Sequence, residues 1–383
     1  MKIALVRNNF ARARGGAENY LINLAEGLVK RGHEVHVFAA QYDDLGDDPR
    51  FTVHKVPVWK FHSSVKNLTF AENAAKLLRA ERFDIINGLS KIYYQDIYRI
   101  GDPLYICWLK LHPRGVIDKV LGFANPRHRM LLYLEKKIFE PRNHRRIIAI
   151  SELDKKLVCK YYRHVDPERV RVIYNGVDFE RFSPANRERY NAEVRRVFKI
   201  PMDSDVVLYI SMDWKRKGYG FLLEAVASLP AGLRGNVRVL VVGKGEPEKY
   251  EKRVGELGLQ ENIVYAGVQV DIRRFYAAGD VFVLPTLYDP FANVHLEALA
   301  SGLPVVTTAM AGGAEVIREG LNGYVVSHAS AVDEITAAIE KCLSPGRREG
   351  MRAAAPASIS RFTWDRSLDQ VLELYEEVLK EKA

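Results

Sequence analysis

Val281-Phe-Val-Leu-Pro-Thr-Leu-Tyr-Asp289-Pro-Phe-Ala-Asn-Val-His-Leu-Glu297-Ala-Leu-Ala-Ser-Gly302-Leu-Pro-Val-Val-Thr-Thr308 is the stretch from which the rest of the chain is read. The apolar run 281–284, bounded by Asp280 and Pro285, predicts a short buried strand. Asp289-Pro290 breaks the chain. Ala292 to Ser301 then reads as a helix ended by Gly302, 303–308 as a second strand, and Ala311-Gly-Gly-Ala-Glu315 as a turn opening a further helix. Such an alternation places loop residues at the carboxyl edge of a parallel sheet, where ligands bind. On one helix Asp289 and Glu297 would stand roughly 12 Å apart along the axis. The proline instead puts Asp289 in the loop and Glu297 on the second helical turn. The backbone amides near Ala292, Asn293 and Val294 lie between them and suit an anion. Acid, amide cluster, acid fits a ligand carrying a sugar, a diphosphate and a ribose in series; the plainer reading is two surface acids on an ordinary helix.

Outward from this stretch the same pattern repeats. Asp205 to Ile210 reads as a strand, and its exit loop holds three cations, Lys215-Arg216-Lys217, immediately before Gly218. A guanidinium fork beside an ammonium suits a diphosphate leaving group, against the plainer reading of a solvated charge cluster. A further strand ends at Gly243, and another at Gly267, before Val268 and Gln269. Near the amino end, Lys2 to Arg7 predicts a strand, Gly15-Gly16 a tight turn, and Ala17 to Arg31 an amphipathic helix. Gly-x-Gly-x-x-Gly is absent there, which argues against a dehydrogenase.

These motifs resemble those of the retaining family 4 (group 1) glycosyltransferases, whose usual signature is E-P-F-G-x-x-x-x-E-A-x-A-x-G-x-P-V-V. The chain has D-P-F-A-N-V-H-L-E-A-L-A-S-G-L-P-V-V, with Asp289 for the first Glu and Ala292 for the Gly. Arg216, Lys217 and Gly218 match the family's R-K-G, Gly15 and Gly16 its G-G-A-E start, and 172–178 its V-I-x-N-G-V-D. The resemblance implies an α/β GT-B fold: two Rossmann-like domains with parallel sheets facing a central cleft and a C-terminal helix crossing back. Expected domains are 1–182 (acceptor-binding and membrane-facing), 183–361 (nucleotide-sugar-binding) and 362–383 (the returning helix). It also implies a metal-independent, retaining transfer without a cofactor, the nucleotide-sugar being a co-substrate. Arg216 and Lys217 would then stabilise the leaving diphosphate, Asp289 hold sugar hydroxyls and Glu297 the ribose. Gly15, Gly16, Arg181, Gly243, Val268, Gln269, Phe291, Ala292, Asn293 and Val294 would complete the donor site.

Charge speaks to the partner. Residues 1–200 carry 37 Lys/Arg against 23 Asp/Glu, and residues 201–383 carry 20 against 25, so a net +9 hides a basic half. Between 101 and 150, Tyr105, Trp108 and Phe123 alternate with Lys110, Arg114, Lys119, Arg127 and Arg129. Rings at headgroup depth beside cations suit an anionic membrane surface; a solvated helix face and nucleic acid are the alternatives, and no nucleic-acid reader motif accompanies the charge. Asp102, at a predicted strand end, is a candidate base or acceptor-positioning group, or simply a turn residue before Pro103. Three cysteines without paired spacing suggest neither disulfides nor zinc. The amino end reads as a strand, not a signal peptide, and no apolar run is long enough to span a bilayer. Within the family, the segment from Gly88 and Lys91 to Arg146 is most similar to the lipopolysaccharide-core glucosyltransferase type. That implies glucose transfer from a UDP-sugar to a saccharide or glycolipid acceptor by a cytoplasmic enzyme on the inner leaflet, expected to be a monomer. The alternatives are a soluble acceptor or a non-catalytic nucleotide-sugar binder.

Overall fold

The computed structural model describes residues 1–11, 16–43, 48–59, 63–111 and 125–383. They form two compact units, Met1–Asn175 with Trp364–Ala383, and Gly176–Thr363. The division falls after Asn175, seven residues before the expected break at 182. Each unit is built on one large parallel sheet.

In the first unit the strands are β1 (Lys2–Val6), β3 (Glu34–Ala39), β5 (Thr52–Lys55), β6 (Ile85–Gly88), β7 (Ile97–Arg99), β8 (Arg146–Ala149) and β9 (Val170–Val172), in the order β5-β3-β1-β6-β7-β8-β9. A small ladder pairs β2 (Asn9–Phe10) with β4 (Gln41–Tyr42). Helices on both faces leave little room for polar side chains, so Ile3, Leu5, Val35, Val37, Ile85 and Ile148 pack without solvent. The helix Trp364–Lys382 adds Leu368, Val371, Leu374, Tyr375 and Val378 to the same core. Its Tyr375 hydroxyl accepts from the Asn87 amide at 2.6 Å, and Leu368 lies where any side chain at Gly27 would collide. Strand β7 is the one whose end was expected at Asp102, although its bounds were not. It is three residues long and carries the buried Arg99, whose guanidinium lies 3.3 Å from the Tyr20 ring centre, so no apolar alternation announces it.

The second unit has the order β12-β11-β10-β13-β14-β15: β10 (Asp205–Ile210), β11 (Val237–Val242), β12 (Ile263–Gly267), β13 (Val281–Leu284), β14 (Val305–Thr308) and β15 (Gly323–Val326). At its amino edge Asp280, 3% exposed, draws in three guanidiniums, Arg187 (3.0 Å), Arg195 (2.9 Å) and Arg352 (3.4 Å). This is why the polar helix Asn186–Val197 docks despite its charge. The turn Ala311–Glu315 opens no α-helix, contrary to expectation. It is a 3-10 turn, Gly312–Val316, and the chain returns at once to β15.

Candidate active site

Strand order reverses direction between β10 and β13, so the loops leaving these two neighbours splay apart and frame a crevice at the carboxyl edge. The first loop carries Arg216-Lys217-Gly218 and the second Pro285 to Ala292. They are stitched together through the Arg216 carbonyl, which accepts from the Leu287 amide at 2.9 Å and the Thr286 hydroxyl at 3.2 Å. Gly218 makes that approach possible. Its φ is +77°, and a β-carbon there would lie 1.9 Å from the Pro285 carbonyl oxygen. Asp289 is fixed from its other side, its amide donating to the Met310 carbonyl (3.0 Å) and its carbonyl accepting from Gly312 (2.8 Å).

The sequence-derived candidates Arg216, Lys217 and Asp289 therefore meet, although 72 residues separate Lys217 from Asp289. Both cations bond the same carboxylate oxygen, Oδ2: Arg216 at 2.9 Å, and Lys217 in the closest contact of the cluster. Arg216 also donates to the Tyr288 carbonyl (3.0 Å) and to Asp213 (3.1 Å). Burial opposes ionisation of Asp289, but the Lys217 and Arg216 charges outweigh it and hold the carboxyl at about 2. Burial, with Arg216 assisting, lowers the Lys217 pKa against the pull of Asp289. The buried Lys217 and the partly buried Arg216 meet one buried carboxylate, the second acid, Asp213, being exposed on the outer side of Arg216, so the inner part of the site is electropositive.

Glu297 stands on the second turn of the helix Asn293–Ala300, as expected. Its Oε2 accepts from the buried Tyr276 hydroxyl at 2.8 Å; burial raises its pKa, countered by that bond and by Arg181. Arg181 itself is exposed and lies over Phe182, 5.4 Å from the ring centre, while Phe182 meets Tyr276 edge-on. Tyr276 thus positions Glu297, and nothing in the pattern of residues 273–278 marked it for that task. His295, on the opposite side of the helix, is fully buried between the Ala292 carbonyl and the Thr307 hydroxyl, both at 3.0 Å. Burial, aided by Lys217, drops its pKa to about 4, so the ring is neutral. Gly313 covers it, since a β-carbon there would come within 2.2 Å of His295 Nδ1. A histidine inside the apolar run Val-His-Leu, together with the Gly-Gly pair, was the available signal.

The remaining donor-site candidates of this unit line the same edge. Ala292 precedes the helix without a side-chain cap, next to buried Phe291 and to Asn293 and Val294 in the first turn. Gly243 leaves β11 with φ +117°, where a β-carbon would strike the Ser211 carbonyl at 2.0 Å. Val268, 64% exposed, and Gln269 follow β12.

In the first unit, Gly16 opens the helix Gly16–Lys30; Gly15 lies outside the described residues. Asp102 is half exposed and 3.5 Å from Arg7, whose buried guanidinium also bonds Glu18 (3.1 Å) and the Leu89 carbonyl (2.7 Å). Of the membrane candidates, Arg114, Lys119 and Phe123 lie outside the described residues. Arg127 and Arg129 are exposed. Lys110 is exposed too, over the Tyr161 ring at 4.5 Å. Tyr105 and Trp108 are half-buried, stacked at 5.4 Å and packed on His128. Glu135, 1% exposed and unforeseen from the sequence, anchors this helix, Tyr105–Leu111: it accepts from the Tyr105 amide (2.6 Å), the Ile106 amide (3.1 Å), Lys91 (2.7 Å) and the Tyr162 hydroxyl (2.6 Å).

Residues 14–181 match the model described as Glycosyltransferase Family 4, and residues 204–345 that of Glycosyl transferases group 1. The chain is 31% identical to a D-inositol 3-phosphate glycosyltransferase of Acidothermus cellulolyticus, over 96% of this chain and 87% of that protein. It is 26% identical to the lipopolysaccharide glucosyltransferase WaaG of Escherichia coli (strain K12), over 86% of each. The crystal structure of WaaG superposes with a TM-score of 0.84 at 24% identity, covering 97% of this chain and 99% of that one. Anabaena HepE in complex with UDP and glucose superposes with a TM-score of 0.74 at 21% identity, covering 98% and 99%.

Proposed function

The chain belongs to the family 4 (group 1) glycosyltransferases, a GT-B fold, and from that premise we propose that it moves glucose from UDP-glucose, with retention, to a lipid-linked or lipopolysaccharide-core saccharide at the inner membrane surface. The observation that carries the donor half is the pair of cations, the partly buried Arg216 and the buried Lys217, on a single oxygen of Asp289. Their desolvation is already offset by Asp289, so an arriving diphosphate meets charge that needs no reorganisation. Among the described residues Asp289 Oδ1 makes no hydrogen bond, which leaves it for a sugar hydroxyl. Glu297, oriented by Tyr276, takes the ribose, and the first turn of the helix Asn293–Ala300 takes the phosphates. As the sugar–phosphate bond breaks, negative charge grows on the leaving diphosphate and the two cations take it up. We infer that no metal or organic cofactor is used, because Arg216 and Lys217 supply the charge a divalent ion would bring. The acceptor oxygen attacks from the face the diphosphate leaves, and its proton can pass to that group.

The glucose, UDP and lipid assignments draw on what WaaG and HepE are named for. The membrane reading draws on the exposed Lys110, Arg127 and Arg129 beside Tyr105 and Trp108, and no helix among the described residues is long and apolar enough to cross a bilayer. A second reading, a soluble phosphorylated acceptor, has the 31% identity to the inositol-phosphate enzyme in its favour. Thermal melts with UDP-, GDP- and ADP-sugars test the donor: UDP-glucose should raise the midpoint, and Arg216→Ala should remove the rise. No response to any donor would sink the enzymatic reading. Sedimentation with anionic vesicles separates the acceptors. Neutralising Lys110, Arg127 and Arg129 should release the protein, and failure of the native chain to bind vesicles would favour the soluble one.

A further inference from the structure

A cluster outside the glycosyl-transfer machinery has metal-ligand chemistry. His36 on β3, His54 on the edge strand β5 and Glu81, just beyond the helix Ser63–Arg79, bring one ligand atom each to within 4.8 Å of one another. His36 is 5% exposed and its Nδ1 lies 2.8 Å from His54 Nε2. Its other nitrogen, Nε2, stands 2.7 Å from Glu34 Oε1. Carboxylate–histidine contacts of this kind fix the tautomer. With the proton on Nε2 and donated to Glu34, Nδ1 presents its lone pair to the cluster, which is the outer-shell arrangement of metal-binding histidines. Ring orientations are set as well: His54 stacks on Phe38 at 4.3 Å and His36 meets Phe83 edge-on at 5.2 Å.

We propose that His36 Nδ1, His54 Nε2 and a Glu81 carboxylate oxygen form a zinc-type divalent-cation site, with Glu34 orienting His36 and water as the fourth ligand. Zinc bonds of about 2.0–2.1 Å space tetrahedral ligands roughly 3.4 Å apart. The two nitrogens at 2.8 Å must open slightly and Glu81 must close in, which its half-exposed side chain permits. Two neutral imidazoles and a carboxylate favour zinc or cobalt over calcium or magnesium. Without metal, His54 Nε2–H donates to His36 Nδ1. On binding, that proton moves to His54 Nδ1 and the ion takes its place between the rings. Lys2 is the competitor, its ammonium 2.6 Å from Glu81 and 3.4 Å from Glu34, and it swings to solvent when the cation arrives. A filled site would clip the edge strand β5 to β3 and to the end of a covering helix.

The test uses the full chain freed of metal with a chelator, then titrated with cobalt(II) and zinc(II). Cobalt should give the strong visible bands of a four-coordinate ion, zinc should displace it, and zinc should raise the thermal midpoint. His54→Gln should abolish all three effects while leaving the metal-free melt nearly unchanged. Glu34→Gln should keep the bands and weaken affinity about 10–100-fold. Lys2→Met should tighten binding; no tightening would count against Glu81 as a ligand. A cobalt spectrum that stays six-coordinate, or bands that survive His54→Gln, would overturn the proposal.

Discussion

Both sheets reverse strand order at a switch point, and both place charge there, but in a different balance. Between β10 and β13 the buried Lys217 and the partly buried Arg216 share one buried carboxylate oxygen, with the exposed Asp213 on the outer side of Arg216; beside β1 and β6 one buried guanidinium, Arg7, is shared by two acids, Glu18 and the half-exposed Asp102. The second unit thus sets two cations on one buried acid, and the first sets two acids on one buried cation. One arrangement suits an anionic leaving group, the other a hydroxyl that must be oriented. The same topology can carry both because the loop residues, not the sheet, set the sign.

The sharpest way to break the comparison is Asp289→Ala. It strands the buried Lys217 without its counter-ion, leaves Arg216 only Asp213, and should cost about 3–5 kcal/mol in urea unfolding, the range for a broken buried pair. A near-neutral result would mean that water already satisfies the cations. Next is Arg216→Ala, which should lower kcat by about 10²–10³ in a transfer assay. An unchanged kcat with a raised donor KM would reassign Arg216 to ground-state binding. Third comes acid. Asp289 ionises at about 2 in the fold against an ordinary 3.8, so its stabilising contribution is complete above pH 4 and disappears as the pH falls through about 2. That difference corresponds to something on the order of 2 kcal/mol. Lys217→Met should flatten the loss over this window, measured as urea midpoints against pH; parallel curves would show that Lys217 does not depress the carboxyl. The smallest stability effect belongs to the first unit. Asp102→Asn should shift the unfolding midpoint by less than about 1 kcal/mol, since the pair is half in water, yet raise the acceptor KM with donor affinity unchanged. A loss of donor affinity would erase the division of labour between the two clusters.

Much of this was legible in the sequence, for a physical reason. Strands such as Val281–Leu284 and Val237–Val242 are buried on both faces and bounded by turn residues, so composition alone marks them. The loop position of Asp289 followed from Pro290, and Glu297 from the helix after it. The bounds of β7 escaped because its last residue is a buried arginine held by an aromatic ring and by the Asn175 side chain, neither near in sequence. The helix Pro345–Ser358 escaped too, being polar and interrupted by Pro356. Within the site, pairing was harder to see than membership. Nothing local says that Arg216 and Lys217 rest on Asp289, that Tyr276 holds Glu297, or that Glu135 gathers Lys91, Tyr162 and a helix start. Those partnerships are made by the packing of strands and helices distant in sequence, which periodicity does not encode.

The core of the first unit is closed by Leu368 to Val378, although its last strand ends at Val172. On a ribosome adding about 5–20 residues per second, the interval between those points lasts roughly 10–40 s. Throughout it the sheet made first lacks part of its wall, and Gly176–Thr363, contiguous in the chain, is complete before Leu368 to Val378 are added. The usual amino-first order of maturation is therefore inverted here. The unit translated first is the one completed last, and during synthesis it is the half that a chaperone would have to shelter.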